Sequence, residues 1–153
     1  MILGKVFSPN TIKVNLKSSD KKALFCELLD VLGAVHPELD KKATLKAICD
    51  REAKMTTGIM PGIAVPHGRV ESIQNVQGVI GISSDGIDYD SIDGQPVHLV
   101  FLMVSSASAC ESHLQALKRL ASILEQSSFR EQMKNVSDAQ EAYDLLCKFE
   151  SEL

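Results

Sequence analysis

Residues 11–16 alternate apolar with polar side chains, with Ile12, Val14 and Leu16 on one side, the period of a strand with one covered face. Apolar residues then recur with helical spacing at Leu24, Leu28, Val31, Leu32 and Val35. Ser18 or Ser19 is placed to cap that helix. His36-Pro37 ends it, because the residue before a proline is driven out of the helical region. Asp40 caps a second helix that turns Leu45, Ile48 and Cys49 inward and carries Arg51 and Glu52 in its last turns. Residues 63–65 and 76–83 are apolar runs of strand length. Asp85-Gly86 and Asp93-Gly94 mark turns on either side of a short segment around Tyr89. Residues 97–104 are apolar at nearly every position, which predicts a central strand covered on both faces.

A small polar loop, residues 105–109, leads into a helix whose stripe is Leu114, Leu117, Leu120, Ala121 and Leu124. Ser128-x-x-Glu131 and Ser137-x-x-Gln140 read as capping boxes that open two further helices. The last of these packs Ala142, Leu145, Leu146 and Phe149 at helical spacing. The order is a strand, two helices, several strands and three helices. It predicts an α/β fold: one domain over residues 1–153, with a mixed central sheet flanked by helices.

Composition narrows the classes. The chain has 153 residues, 44% hydrophobic and 24% charged, enough for one core. The net charge of −4 gives no footprint for nucleic acid. Lys21-Lys22 and Lys41-Lys42 each follow an aspartate and read as solvated helix starts. No apolar run approaches the length of a bilayer, and residues 1–5 lack the pattern of a signal peptide, so a cytoplasmic location and no membrane insertion are expected. Cys26, Cys49, Cys110 and Cys147 form no C-x-x-C, and reduced, buried thiols are expected.

Residues 56–68 stand out. Three glycines, two prolines and two threonines lie within these thirteen residues. Such loops present backbone N–H groups to anions, which makes Thr57 and Gly58 candidate phosphate contacts. The stretch ends in His67, held between Pro66 and Gly68, where an imidazole is stiff and accessible. His113 follows the small-residue loop after the central strand, at a helix start that favours an anion. Arg51 supplies a permanent charge that can hold two phosphate oxygens. These parts suffice for a phosphohistidine site. Taken singly, each also has an ordinary reading: a histidine in a turn, an exposed helix residue, an arginine complementing a helix end. His36 and His98 receive no role.

At Gly62-Ile-Ala-Val-Pro-His67 the chain resembles enzyme IIA of the fructose/mannitol type from the bacterial phosphotransferase system, a family that includes a nitrogen-related regulatory branch. Arg51-Glu52, Thr57-Gly58-Ile59, residues 86–89 and 93–97, and His113-Leu114 extend the resemblance over nearly the whole chain. The resemblance implies that His67 accepts a phosphoryl group from the histidine-containing phosphocarrier protein. It implies that His113 hydrogen-bonds that group and that Arg51 neutralises it. The acceptor would be a IIB domain or a regulatory target protein, and no metal or organic cofactor is implied. Met60-Pro61 stands where the family usually has glycine and a polar residue, and His98 where it usually has another polar residue.

Two functions compete: a relay in sugar uptake, and a regulator read out through the phosphorylation of His67. The length, with no IIB or IIC segment in it, leans towards the regulatory branch. A metal-dependent or hydrolytic enzyme is a remote third, since there is no H-E-x-x-H, paired Cys/His spacing or G-x-S-x-G.

Overall fold

A computed structural model describes all of residues 1–153. Its centre is β5 (Val97–Ser105), and the period-2 rule divides this strand between two cores. Leu99, Phe101 and Met103 face one side; Val100, Leu102 and Val104 face the other. Both faces are covered, as the unbroken apolar run predicts. On the first side pack α4 (Cys110–Leu124), α5 (Ser127–Lys134) and α6 (Ala139–Ser151), together with a one-turn helix α1 (Leu3–Val6). On the second lie α2 (Lys21–Val35) and α3 (Lys41–Lys54).

The sheet is mixed, as expected. β4 (Val76–Ile87) runs antiparallel to β5, and the short β1 (Ile12–Lys13) runs parallel to β4. The other side of β5 is shared by β2 (Ile63–Ala64) and β3 (His67–Arg69), both parallel to it. The peptide between them stays in register, since Met103 N–H donates to the Pro66 carbonyl at 3.0 Å. His67 thus opens an edge strand, opposite Met103 near the carboxyl end of β5.

Several local readings need correction. β1 is shorter than the alternating run. Leu16 N–H still bonds the Ile82 carbonyl, but the N–H groups of Lys17 and Ser18 turn to the Glu27 carboxylate and the chain leaves the sheet. The cap of α2 is Asp20, which accepts from Ala23 N–H at 2.9 Å; Ser18 donates its hydroxyl to Glu27 instead. Asp85-Gly86 is not a turn between strands. β4 continues through it to Ile87 across an irregularity, with Gly86 at φ +90° and the His98 ring beside it. His98 Nδ1 pairs with the Ser83 carbonyl at 2.8 Å, so this ring braces the irregularity. α5 has no side-chain cap, and α6 is capped by Asp138 rather than Ser137. All four cysteines are free, but Cys26 and Cys110 are exposed and Cys49 and Cys147 only half-buried. No helix is long and apolar enough to cross a membrane.

Candidate functional site

The departure at Met60-Pro61 makes a tight turn. Ile63 N–H donates to the Met60 carbonyl at 3.1 Å, with Pro61 second and Gly62, at φ +74°, third, the placement a type II turn requires. The turn carries the chain into β2. Pro66 then interrupts the edge strand, and His67 follows it.

His67 is half-buried, and its Nδ1 lies 3.0 Å from the Val65 carbonyl. A carbonyl only accepts, so Nδ1 carries the proton and donates. Nε2 is left with a free lone pair.

His113 sits in the first turn of α4, its ring centroid 5.5 Å from that of His67 and the planes at 67°. It is 92% buried by its 8% exposure, and its Nδ1 is 2.6 Å from Ser105 Oγ, at the end of β5. Its Nε2 is buried without a partner. Burial first, then the neighbouring His67 and Arg69, push its pKa down to about 4. The ring is therefore neutral at physiological pH.

Gly68 brings the third group near. A Cβ at this position would lie 3.2 Å from both Cγ1 and N of Ile48, so α3 packs against the β3 backbone with no room for a side chain. That approach places Arg51 on the wall of a cleft of about 510 Å³ that His67 and His113 also line. Arg51 Nη1 donates to the Met55 carbonyl at 2.8 Å, which steadies the guanidinium at the end of its own helix. His67, His113 and Arg51 are thus brought to one cleft.

Thr57 and Gly58 are placed differently. Thr57 N–H and hydroxyl both go to the Glu52 carboxylate, at 2.8 and 2.7 Å, and Tyr89 hydroxyl joins them at 2.8 Å from Thr57 Oγ1. Gly58 N–H is taken by Thr56 Oγ1. Lys21 completes the cluster, 3.1 Å from Glu52 and 4.6 Å above the Tyr89 ring. Burial works against ionisation of Glu52, yet the Thr57 and Lys21 contacts outweigh it and hold the carboxyl below its usual range. These donors hold the loop in shape and are not free for an anion.

The sequence assigns no role to Arg69, Lys54 or Ser105, and marks Cys110 only as a buried thiol. Arg69, Lys54 and Cys110 line the cleft of His67, and Arg69 donates to Cys110 Sγ at 3.0 Å. Arg69 was open to inference: two residues beyond His67 on one strand, it shares its face. Ser105 was not, because its partner lies eight residues on, in another element. No group of three His, Cys, Asp or Glu side chains gathers where it could hold a metal ion.

Residues 5–148 match the family model described as "Phosphoenolpyruvate-dependent sugar phosphotransferase system, EIIA 2". The chain is 36% identical over 146 residues to the fructose-specific EIIABC component of Bacillus subtilis, covering 95% of this chain but 23% of that protein. It is 32% identical over 149 residues to a nitrogen regulatory protein of Bradyrhizobium diazoefficiens, covering 95% of both. The crystal structure of the nitrogen regulatory protein IIA-Ntr from Neisseria meningitidis superposes with a TM-score of 0.88 at 29% identity, over 95% of this chain and 99% of that one. With a matching model over nearly its full length, the chain belongs to the EIIA 2 family of the phosphoenolpyruvate-dependent sugar phosphotransferase system.

Proposed function

We propose that this chain is a phosphoryl carrier in which Nε2 of His67 takes up and releases the phosphoryl group. The observation that carries the reading is the Nδ1–H···O=C bond to Val65, which leaves Nε2 as the nucleophile. The lone pair of Nε2 forms a bond to phosphorus as the bond from phosphorus to the donor's imidazole nitrogen breaks, and the electron pair of that bond returns to the donor. Positive charge develops on the His67 ring, and the Val65 carbonyl stabilises it through Nδ1–H. The cationic side chains of Arg51, Lys54 and Arg69 around the cleft stabilise the charge spread over the phosphoryl oxygens. His113 supplies a neutral hydrogen bond at the buried end.

The donor in this reading is the histidine-containing phosphocarrier protein. Met55, Ile59 and Leu114 are exposed by 54%, 58% and 52% at the clefts that His67 lines, and they supply an apolar rim for docking. The acceptor is a regulatory target or a IIB domain. Nitrogen regulatory relatives that match over most of their length favour the first; the 36% identity to a fructose-specific component favours the second.

The test supplies the protein with phosphoenolpyruvate, enzyme I and the phosphocarrier protein, and follows acid-labile, alkali-stable phosphate. Labelling is expected in the native chain and absent in His67→Ala; labelling that survives the substitution overturns the assignment. Adding a fructose-type IIB domain separates the two acceptors, since rapid loss of label to it marks an uptake component and retention marks a regulator.

A further inference from the structure

We propose that Ser105 is a positioning residue: its hydroxyl donates to Nδ1 of His113 and so keeps that ring's proton on Nε2, as a donor to the phosphoryl group on His67. The inference rests on the phosphohistidine reading of His67 and deepens it.

Ser105 is 1% exposed and His113 8%. The Ser105 hydroxyl reaches one partner, Nδ1 of His113, at 2.6 Å. Two arrangements fit that distance. In one, Nδ1–H donates to the serine oxygen. The serine proton is then buried with no acceptor, and Nε2 carries an unpartnered lone pair. In the other, the serine O–H donates to Nδ1. Its proton is satisfied, and the only unpartnered group is Nε2–H. The first strands two groups in a low-dielectric site and the second strands one.

The ligand decides in the same direction. Phosphoryl oxygens accept and do not donate. A lone pair on Nε2 would repel them, whereas Nε2–H completes its hydrogen bond when the phosphoryl group arrives. Before phosphorylation the ring does not escape the choice by taking a second proton, because burial first, with His67 and Arg69 beside it, holds its pKa at about 4. A neutral donor also avoids fixing another full positive charge on a group that must leave again.

The backbone makes the placement rigid. Ser105 pairs with Arg69 of β3 on one side and Val76 of β4 on the other, and its carbonyl accepts from Val70 N–H at 2.9 Å. The Cβ of Ser105 is thus fixed relative to His67, two residues before Arg69.

The experiment reads the ring nitrogens of His113 by 15N NMR in the native protein, Ser105→Ala and Ser105→Thr, before any phosphorylation. At neutral pH the native ring is expected to show a protonated Nε2 and an unprotonated Nδ1. Ser105→Ala is expected to mix the tautomers, and Ser105→Thr, which keeps the hydroxyl, to restore the native pattern. Phosphorylation by the donor is then expected to be roughly tenfold less favourable in Ser105→Ala, the size of one lost hydrogen bond. In a His113→Ala background the same substitution should have no further effect. A native ring with its proton on Nδ1, or a Ser105→Ala protein with native tautomer and native phosphorylation, overturns the proposal. Because the tautomer is read without phosphate, a correct tautomer with no phosphorylation at His67 would overturn the phosphohistidine reading alone.

Discussion

Gly68 determines how near Arg51 comes to His67. With Ile48 already 3.2 Å from where its Cβ would be, Gly68→Ala must move α3 or β3 by a few tenths of an ångström. The cost is expected at roughly 1–3 kcal/mol, as for other overpacked sites. Urea unfolding would measure it, and slower phosphorylation would accompany it because the cleft widens. Arg51→Ala removes a charge at the cleft wall and is expected to slow phosphorylation with the urea midpoint almost unchanged. A native rate would make Arg51 a cap for the Met55 carbonyl and nothing more. At this scale the chain is legible where one residue's chemistry is distinctive: His67 between Pro66 and Gly68, His113 after the small loop. It is illegible where a residue's partner is remote. Thr57 looks like an anion contact until Glu52 and Tyr89 are seen to take its hydrogen bonds. Leu114 looks like a core residue by spacing. Leu120 and Leu124 of the expected stripe are buried, but His113, Ala116 and Ile123 complete the inward face of α4, and Leu114 stands at the cleft rim.

Among the elements, the glycine-rich loop depends on one carboxylate. Glu52 in the last turns of α3 receives the N–H and hydroxyl of Thr57, the Tyr89 hydroxyl and Lys21, and so ties the loop to two other parts of the chain. Glu52→Ala leaves these buried donors unmet and is expected to destabilise by roughly 2–4 kcal/mol, visible in thermal unfolding. Thr57→Val removes the hydroxyl and keeps the N–H bond, so a smaller loss is expected. If both variants matched the native melting temperature, the loop would not need this anchor. The helices were readable from periodicity because each buries one face, and the central strand from its unbroken apolar run because it buries both. Asp40 caps α3 as its position predicts, but the caps of α2, α5 and α6 lie one or two residues from the expected serines. Ser18, Ser128 and Ser137 fit the capping pattern, yet Asp20 and Asp138 accept the first-turn N–H groups, while Gln126 precedes α5 without a side-chain cap. Several cap-competent residues side by side cannot be ranked by pattern alone.

Across the whole molecule, the two ends of the chain are joined by a buried carboxylate. Glu150 of α6 accepts N–H groups from Ile2, Leu3 and Gly4 at 3.1, 2.9 and 3.2 Å, and Arg119 of α4 at 2.7 Å. α1 is too short to be read from periodicity, and Glu150 supplies the anion that its N-terminal N–H groups need. Glu150→Ala is expected to lower stability by roughly 2–4 kcal/mol and to loosen residues 1–6 in hydrogen exchange. Protonation should weaken the fold along a similar route. Burial opposes the charge on Glu27, but bonds from Lys13, Ser18 and Lys17 prevail and hold it at about 2, against an ordinary 4.5. A carboxyl with a depressed folded pKa contributes stability above its unfolded pKa and loses it as pH falls through the folded one. The urea midpoint is therefore expected to fall between about pH 4.5 and 2, and to fall less steeply in Glu27→Gln. Equal slopes would remove Glu27 from the acid response.

The layered sheet, the free Nε2 and the cationic cleft meet in one claim, that the phosphoryl group is bonded to Nε2 of His67. NMR of the 15N-labelled protein after phosphorylation by the phosphocarrier protein tests it directly. Splitting of the Nε2 resonance of His67 by phosphorus, with Nδ1 still protonated against the Val65 carbonyl, is the expected result. Phosphorus coupled to Nδ1 of His67, or to either nitrogen of His113, would contradict it.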